Sequence, residues 1–289
     1  MENSDLRSAD LQSGDLQSGD LQSGDLQSAD LPSADLRPDS GFAGKKIFFL
    51  YPTNSIKNQI IAELAQNEYE AYAAKDHAKL TRALRNFPDS IIFINIEEKI
   101  SYQEWENWIG TTRTTAPAVK FGIFSSSNDE EFKNKFIKSN RITCGLLPLK
   151  PDMTKAAEKI LETLGTMDVK GRRKYLRATT DREAKAIINI PTGGGDFLNG
   201  VIKDISVIGV SCVFDHDPGL KKNAHMKDIQ IKLQSMLVKV ESVVFGSREN
   251  SGEKIYVMLF TQRVDPDVRV KIRKYIQQNM QSKMDLEIN

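Results

Sequence analysis

The sequence predicts two dissimilar folded units in tandem, an α/β doubly wound domain and then a six-stranded antiparallel β-barrel with a C-terminal helix, behind a repetitive leader. Three observations carry this. From Lys45 to about residue 164, runs of β-branched and aromatic residues alternate with amphipathic helical patterns, as in a parallel sheet covered on both faces. From about residue 184 onward, strand-like runs follow one another with only Gly-, Pro-, Asn- and Asp-rich turns between them, as in an antiparallel barrel. Ahead of both, residues 5 to 39 repeat with a period of five.

The leader runs from Asp5-Leu6-Arg7-Ser8-Ala9 to Asp35-Leu36-Arg37-Pro38-Asp39. With a Leu in each copy and a small residue before most Asp, it resembles the pentapeptide-repeat family, whose chains coil into a square solenoid. Seven copies are too few to stack several coils over a shared core. A disordered, low-complexity leader over residues 1–43 is therefore expected, with a short coil or interaction arm as the alternative.

Length and charge bound the rest. A chain of 289 residues with 40 Lys+Arg against 39 Asp+Glu suits about two ordinary domains plus an extra segment. A net charge of +1 argues against a surface built throughout for nucleic acid, so any anion binding must sit in local clusters. Cys144 and Cys212 lie in apolar runs and read as buried free thiols, not as a disulfide or a metal site. The Asp-studded start lacks the pattern of a secretory signal, and no apolar run approaches the length that spans a bilayer, so no membrane insertion and a cytoplasmic location are expected.

In the first domain, residues 44–164, the strand candidates are 46–51, 69–73, 90–96, 118–124 and 142–147, with helical patterns near 56–67, 76–86, 101–110, 129–139 and 152–164. The layout resembles a response-regulator receiver domain, and Lys150-Pro151 resembles the Lys-Pro of that family. The phosphorylation chemistry does not carry over. Such a domain needs a carboxylate at the end of its third strand and an acidic pair after its first, to accept the phosphoryl group and hold Mg²⁺. Here the third strand ends in Asn95, and Tyr51-Pro52-Thr53-Asn54 follows the first. A degenerate receiver-like domain used for docking or dimerisation is expected. Trp105 and Trp108, three apart on a helix, read as a core-facing stripe.

Residues 165–177 form an expected linker, and residues 178–289 the barrel, with strands near 184–190, 197–205, 209–214, 228–233, 236–245 and 255–260. Turns are expected at 191–195, 215–219 and 246–252. The Gly193-Gly194-Gly195 run lacks a following Lys-Ser/Thr and reads as a hairpin loop, not a phosphate cradle. A last helix starts at Asp265-Pro266-Asp267 and carries Val268, Ile272, Tyr275 and Ile276 on one side.

Two motifs flank the start of the barrel. Arg173 and Arg177 make an R-x-x-x-R element, and Asp204-Ile205-Ser206-Val207-Ile208-Gly209 makes a D-x-S-x-x-G turn. Each alone is common by chance. In this order, with a six-strand pattern between and beyond them, they resemble the signature of the PilZ domain, the bacterial receptor module for cyclic di-GMP, over roughly residues 170–283.

The resemblance implies a non-enzymatic receptor whose ligand is cyclic di-GMP, acting on an unidentified protein partner in motility, adhesion or virulence. It places Arg173, Arg177, Asp204, Ser206 and Gly209 at the ligand, with Arg172 as a further cation. The chemistry suits the ligand's two phosphates and two guanines. A guanidinium pairs with phosphate oxygens or with guanine O6 and N7, and stacks on a purine. A carboxylate at Asp204 accepts from guanine N–H groups, Ser206 adds a hydroxyl, and Gly209 permits close approach or completes the turn. The alternative is a nucleic-acid or protein scaffold using the basic linker and Arg269, Lys271, Arg273 and Lys274 of the last helix.

Overall fold

The computed structural model describes residues 44–288 apart from residues 128, 130, 132, 133, 135, 139–141, 150–152 and 181–185. The repeat leader, the Lys150-Pro151 pair and much of the helix expected over 129–139 lie outside the described residues.

Strands β1 (Ile47–Leu50), β2 (Ala71–Ala74), β3 (Ile91–Asn95), β4 (Lys120–Ser125) and β5 (Leu146–Pro148) form one sheet in the order β2-β1-β3-β4-β5. Every pairing is parallel. All four residues of β1 are buried, because helices cover both faces; this is why the strand reads as a continuous apolar run without alternation.

A π-helical stretch (Ile56–Ile61) continuing as α1 (Ala62–Gln66), together with α4 (Met153–Gly165), covers one face through Ile56, Ile60, Leu64, Ile160 and Leu164. Helices α2 (His77–Ala83) and α3 (Tyr102–Thr115) cover the other through Leu80, Trp105 and Ile109. Trp105 is wholly buried, and Trp108 meets it edge-on while its Nε1 donates to Thr81 Oγ1 at 2.9 Å. The tryptophan stripe is core, as its spacing implied.

At the end of β3, Asn95 is buried; its Nδ2 donates to the Tyr51 carbonyl at 3.2 Å and its Oδ1 accepts from Glu97 N–H at 3.3 Å. Glu97 turns away to accept from the Ser125 and Ser126 hydroxyls, at 3.3 and 2.6 Å.

The second unit is a closed ring. Strands β7 (Ala186–Gly193), β8 (Asp196–Ser206), β9 (Gly209–Phe214), β10 (His225–Leu233), β11 (Met236–Asn250) and β12 (Glu253–Phe260) pair in the order β8-β7-β10-β11-β12-β9, and β9 returns to β8. A short strand, β6 (Arg177–Thr179), pairs with β8. Its three residues are too few to show a period, so sequence alone leaves it inside the linker.

The turn expected over 246–252 is also corrected. Gly246 marks a register shift within β11, a bulge, and the strand runs on to Asn250. Only Ser251 and Gly252 turn, both at positive φ (50° and 80°), as a two-residue hairpin of matching twist requires. Gly193, Gly194 and Gly195, all at positive φ, close the β7–β8 hairpin.

Helix α5 (Pro266–Ile288) begins where the Asp265 carboxylate accepts from Asp267 N–H at 2.7 Å. Ile272, Tyr275 and Ile276 seal the barrel core. Met280 touches both cores, and Met284 is buried in the core of the first domain. One helix therefore completes two hydrophobic cores. Cys144 and Cys212 are both free and buried.

Candidate functional site

Ser211 lies between Val210 and Cys212, both in the barrel core, so alternation along β9 turns its side chain to the outer face. It is nonetheless fully buried, as is Asp204, its cross-strand partner on β8. A bulge between Ile202 and Asp204 sets this register, and Ser211 Oγ donates to Asp204 Oδ2 at 2.5 Å. Asp204 Oδ1 is buried with no hydrogen-bond partner among the described residues. A buried carboxylate with one oxygen lacking a protein partner is costly unless cations or donors lie near it.

Cations do face it. Arg177, Arg248 and Arg173 each act electrostatically on Asp204. Burial nevertheless holds its carboxyl above the ordinary range; the Ser211 hydroxyl and the three guanidiniums oppose that effect without overcoming it. Arg177 pairs with Ser206, and Thr179 with Asp204, so β6 sets the second Arg of the R-x-x-x-R element beside the D-x-S-x-x-G turn. The element is neither a helix nor wholly a loop: Arg173 lies in the chain that bends toward β6, and Arg177 begins that strand. Arg172 is exposed.

Within the turn itself, Ser206 and Gly209 have structural contacts. Ser206 Oγ donates to the Gly209 carbonyl and accepts from Ile208 N–H, both at 3.3 Å, so this hydroxyl shapes its own turn. A Cβ on Gly209 would meet the Met258 carbonyl oxygen; its glycine is required by the close approach of β12.

The Arg pair also lines a cavity of about 50 Å³ between the units, together with Glu68, Glu70, Lys170 and Tyr175. Lys170 Nζ stands 4.6 Å from the centre of the Tyr69 ring. Glu68 follows α1 with φ of 61°. Glu68 N–H bonds to the Ala65 carbonyl at 3.2 Å and Tyr69 N–H to the Leu64 carbonyl at 2.9 Å, the helix-ending motif in which glycine usually holds the left-handed position. A glutamate there is strained by roughly 1–2 kcal/mol. Its carboxylate accepts from Leu176 N–H at 2.7 Å on one oxygen and from Arg273 Nη2 at 3.1 Å on the other.

Three residues of this assembly escape sequence reasoning. Arg248 reads as a turn residue because Gly246 and Gly252 bracket it; its Nε and Nη2 are buried without a hydrogen-bond partner among the described residues. Ser211 was legible only as one residue of an apolar strand, and Glu68 carries no local signal. Two of the helix cations set aside for a nucleic-acid surface are engaged internally. Arg269 donates to the Val207 and Thr261 carbonyls at 2.8 and 2.9 Å, and Arg273 holds Glu68. Among the described residues, no group of three or more His, Cys, Asp or Glu side chains is placed to hold a metal ion, and no helix is long and apolar enough to cross a membrane.

No family model and no curated protein matches the chain. Similar solved structures exist. The PilZ domain with c-di-GMP of YcgR from Escherichia coli is 14% identical, over 40% of this chain and 96% of that one, with a TM-score of 0.35. The K. pneumonia MrkH–c-di-GMP complex is 18% identical, over 41% and 57%, with a TM-score of 0.37. The Vibrio cholerae chemotaxis protein CheY4 is 17% identical, over 43% and 98%, with a TM-score of 0.35. The structural neighbours are PilZ proteins and a receiver. Of the longer PilZ chains, this one spans 51% of YcgR and 57% of MrkH.

Proposed function

We propose that this chain is a cyclic di-GMP receptor that regulates a protein partner and leaves the nucleotide chemically unchanged. What supports the reading is the pairing of Arg177, from the R-x-x-x-R element, with Ser206 of the D-x-S-x-x-G turn, next to the buried Asp204, and the cavity that Arg177 shares with Arg173. The arginines supply planar cations for the phosphates and for guanine O6 and N7, and binding opens the site so that the Asp204 carboxylate, buried in the free chain, accepts from a guanine N–H. Arg248 joins them as a further cation from the barrel wall. Ser206 and Gly209 act by fixing the turn that presents Asp204, and Arg172, at the exposed margin, adds a further cation for the ligand.

In this reading residues 44–164 form a receiver-like docking domain, 165–177 the ligand-responsive connection and 178–289 the receptor barrel. Binding alters how the two units sit, and the partner, in motility, adhesion or virulence in the cytoplasm, reads that change. Calorimetric titration of the full chain with cyclic di-GMP tests the proposal, with chromatography of the recovered nucleotide. Saturable binding and intact ligand support it; absence of binding, or hydrolysis, refutes it.

A further inference from the structure

We propose that Glu68 is a brake on the nucleotide site: a carboxylate of the first domain that restrains the R-x-x-x-R segment and is displaced when an anionic ligand engages Arg173 and Arg177. The inference rests on the receptor reading above and adds the device through which the site reaches the rest of the chain.

Five observations support it. Glu68 occupies a left-handed position that glycine fills without strain, so a side chain is retained there at a conformational cost. That side chain is only 12% exposed and both its oxygens are engaged. One accepts from Leu176 N–H, the residue immediately before Arg177, and so fixes the backbone between the two arginines. The other holds Arg273, on the helix that reaches back to the first domain. Finally, Glu68 and Glu70 line the same cavity as Arg173 and Arg177.

Carboxylates that share a cavity with a cation pair offer it the charge that a phosphate would offer, and a ligand phosphate must compete with them. Release of Glu68 frees Leu176 and Arg273 together. The change therefore passes at once to the connection and to α5, whose Gln281 side chain bonds the edge of β2 at Ala73. Ligand and Glu68 are thus coupled reciprocally: the ligand loosens the domain contact, and loosening the contact favours the ligand.

Two measurements on the full chain test this. Glu68→Gln, which removes the charge but keeps an acceptor and the side-chain volume, is expected to bind cyclic di-GMP at least about five-fold more tightly than wild type by calorimetry. Equal or weaker binding by a variant with wild-type circular dichroism overturns the proposal. Independently of any variant, hydrogen exchange over residues 71–74 of the wild type is expected to quicken when the site is saturated, because the Ala73 amide loses its Gln281 partner; unchanged exchange also overturns it. Failure of wild type to bind at all sinks the receptor reading and the brake together, whereas binding by wild type without either effect sinks the brake alone.

Discussion

The Gln281 side chain treats Ala73 as a neighbouring strand would: Oε1 accepts from the Ala73 N–H at 2.8 Å and Nε2 donates to the Ala73 carbonyl at 3.0 Å. Strand β2 is the sheet edge, so this amide satisfies backbone groups that would otherwise invite pairing with another chain. Replacing Gln281 by Ala removes both bonds and is expected to destabilise the first domain by about 1–2 kcal/mol. The measurement is urea unfolding. A midpoint identical to wild type would show that solvent replaces the amide without loss.

Removal of single groups from the site is expected to abolish or greatly weaken cyclic di-GMP binding while leaving the fold intact. A hydrogen bond to a charged group contributes roughly 1.5–3 kcal/mol, so Arg173→Ala and Asp204→Asn should each weaken binding at least about ten-fold. Arg248→Ala should also weaken it. Calorimetry gives the affinities and circular dichroism checks the fold. Undiminished affinity in both Arg173→Ala and Asp204→Asn would refute the assignment of these residues.

The pH dependence of Asp204 has a definite sign. Burial raises its folded-state pKa above the ordinary 3.8, so the folded protein holds this proton more tightly than the unfolded chain. Its contribution to stability is present when the group is protonated and declines as pH rises from the ordinary value through the raised one. Asp204→Asn should lack that decline; stability curves of the two proteins that stay parallel across this window would contradict it. Cyclic di-GMP affinity should move the other way, rising with pH over the same window, because guanine N–H donors need the ionised carboxylate. Titrations at successive pH values read this directly.

Gly209→Ala should act on the fold before it acts on the ligand. The added methyl meets the Met258 backbone oxygen, which has no flexible side chain to yield, so β9 and β12 must separate. Overpacking of this kind costs typically 1–3 kcal/mol. Thermal unfolding should show a lowered midpoint. A wild-type midpoint with lost binding would instead place Gly209 against the ligand.

How far the sequence reached is seen in particular residues. The continuous apolar strands, the six barrel strands and the start of α5 at Asp265 were legible because period and turn chemistry are local signals. The motif residues were legible as types, and their convergence was not: it depends on the pairing of Arg177 with Ser206 and on a bulge before Asp204. Arg248 reads as a turn residue in sequence because a glycine bulge and a glycine turn look alike in one dimension. Glu68 and Gln281 carry no local signal, and Arg273 reads only as a surface cation, since their partners lie more than a hundred residues away along the chain.

Because a single C-terminal helix plugs both cores, the chain offers no clean place to be cut. An excised N-terminal half would leave the Met284 socket open to water, and an excised barrel would carry Met284 and Ile288 without the residues they pack against. Neither half keeps the packing of the intact chain, so coupling between the two units is measurable only in the full chain.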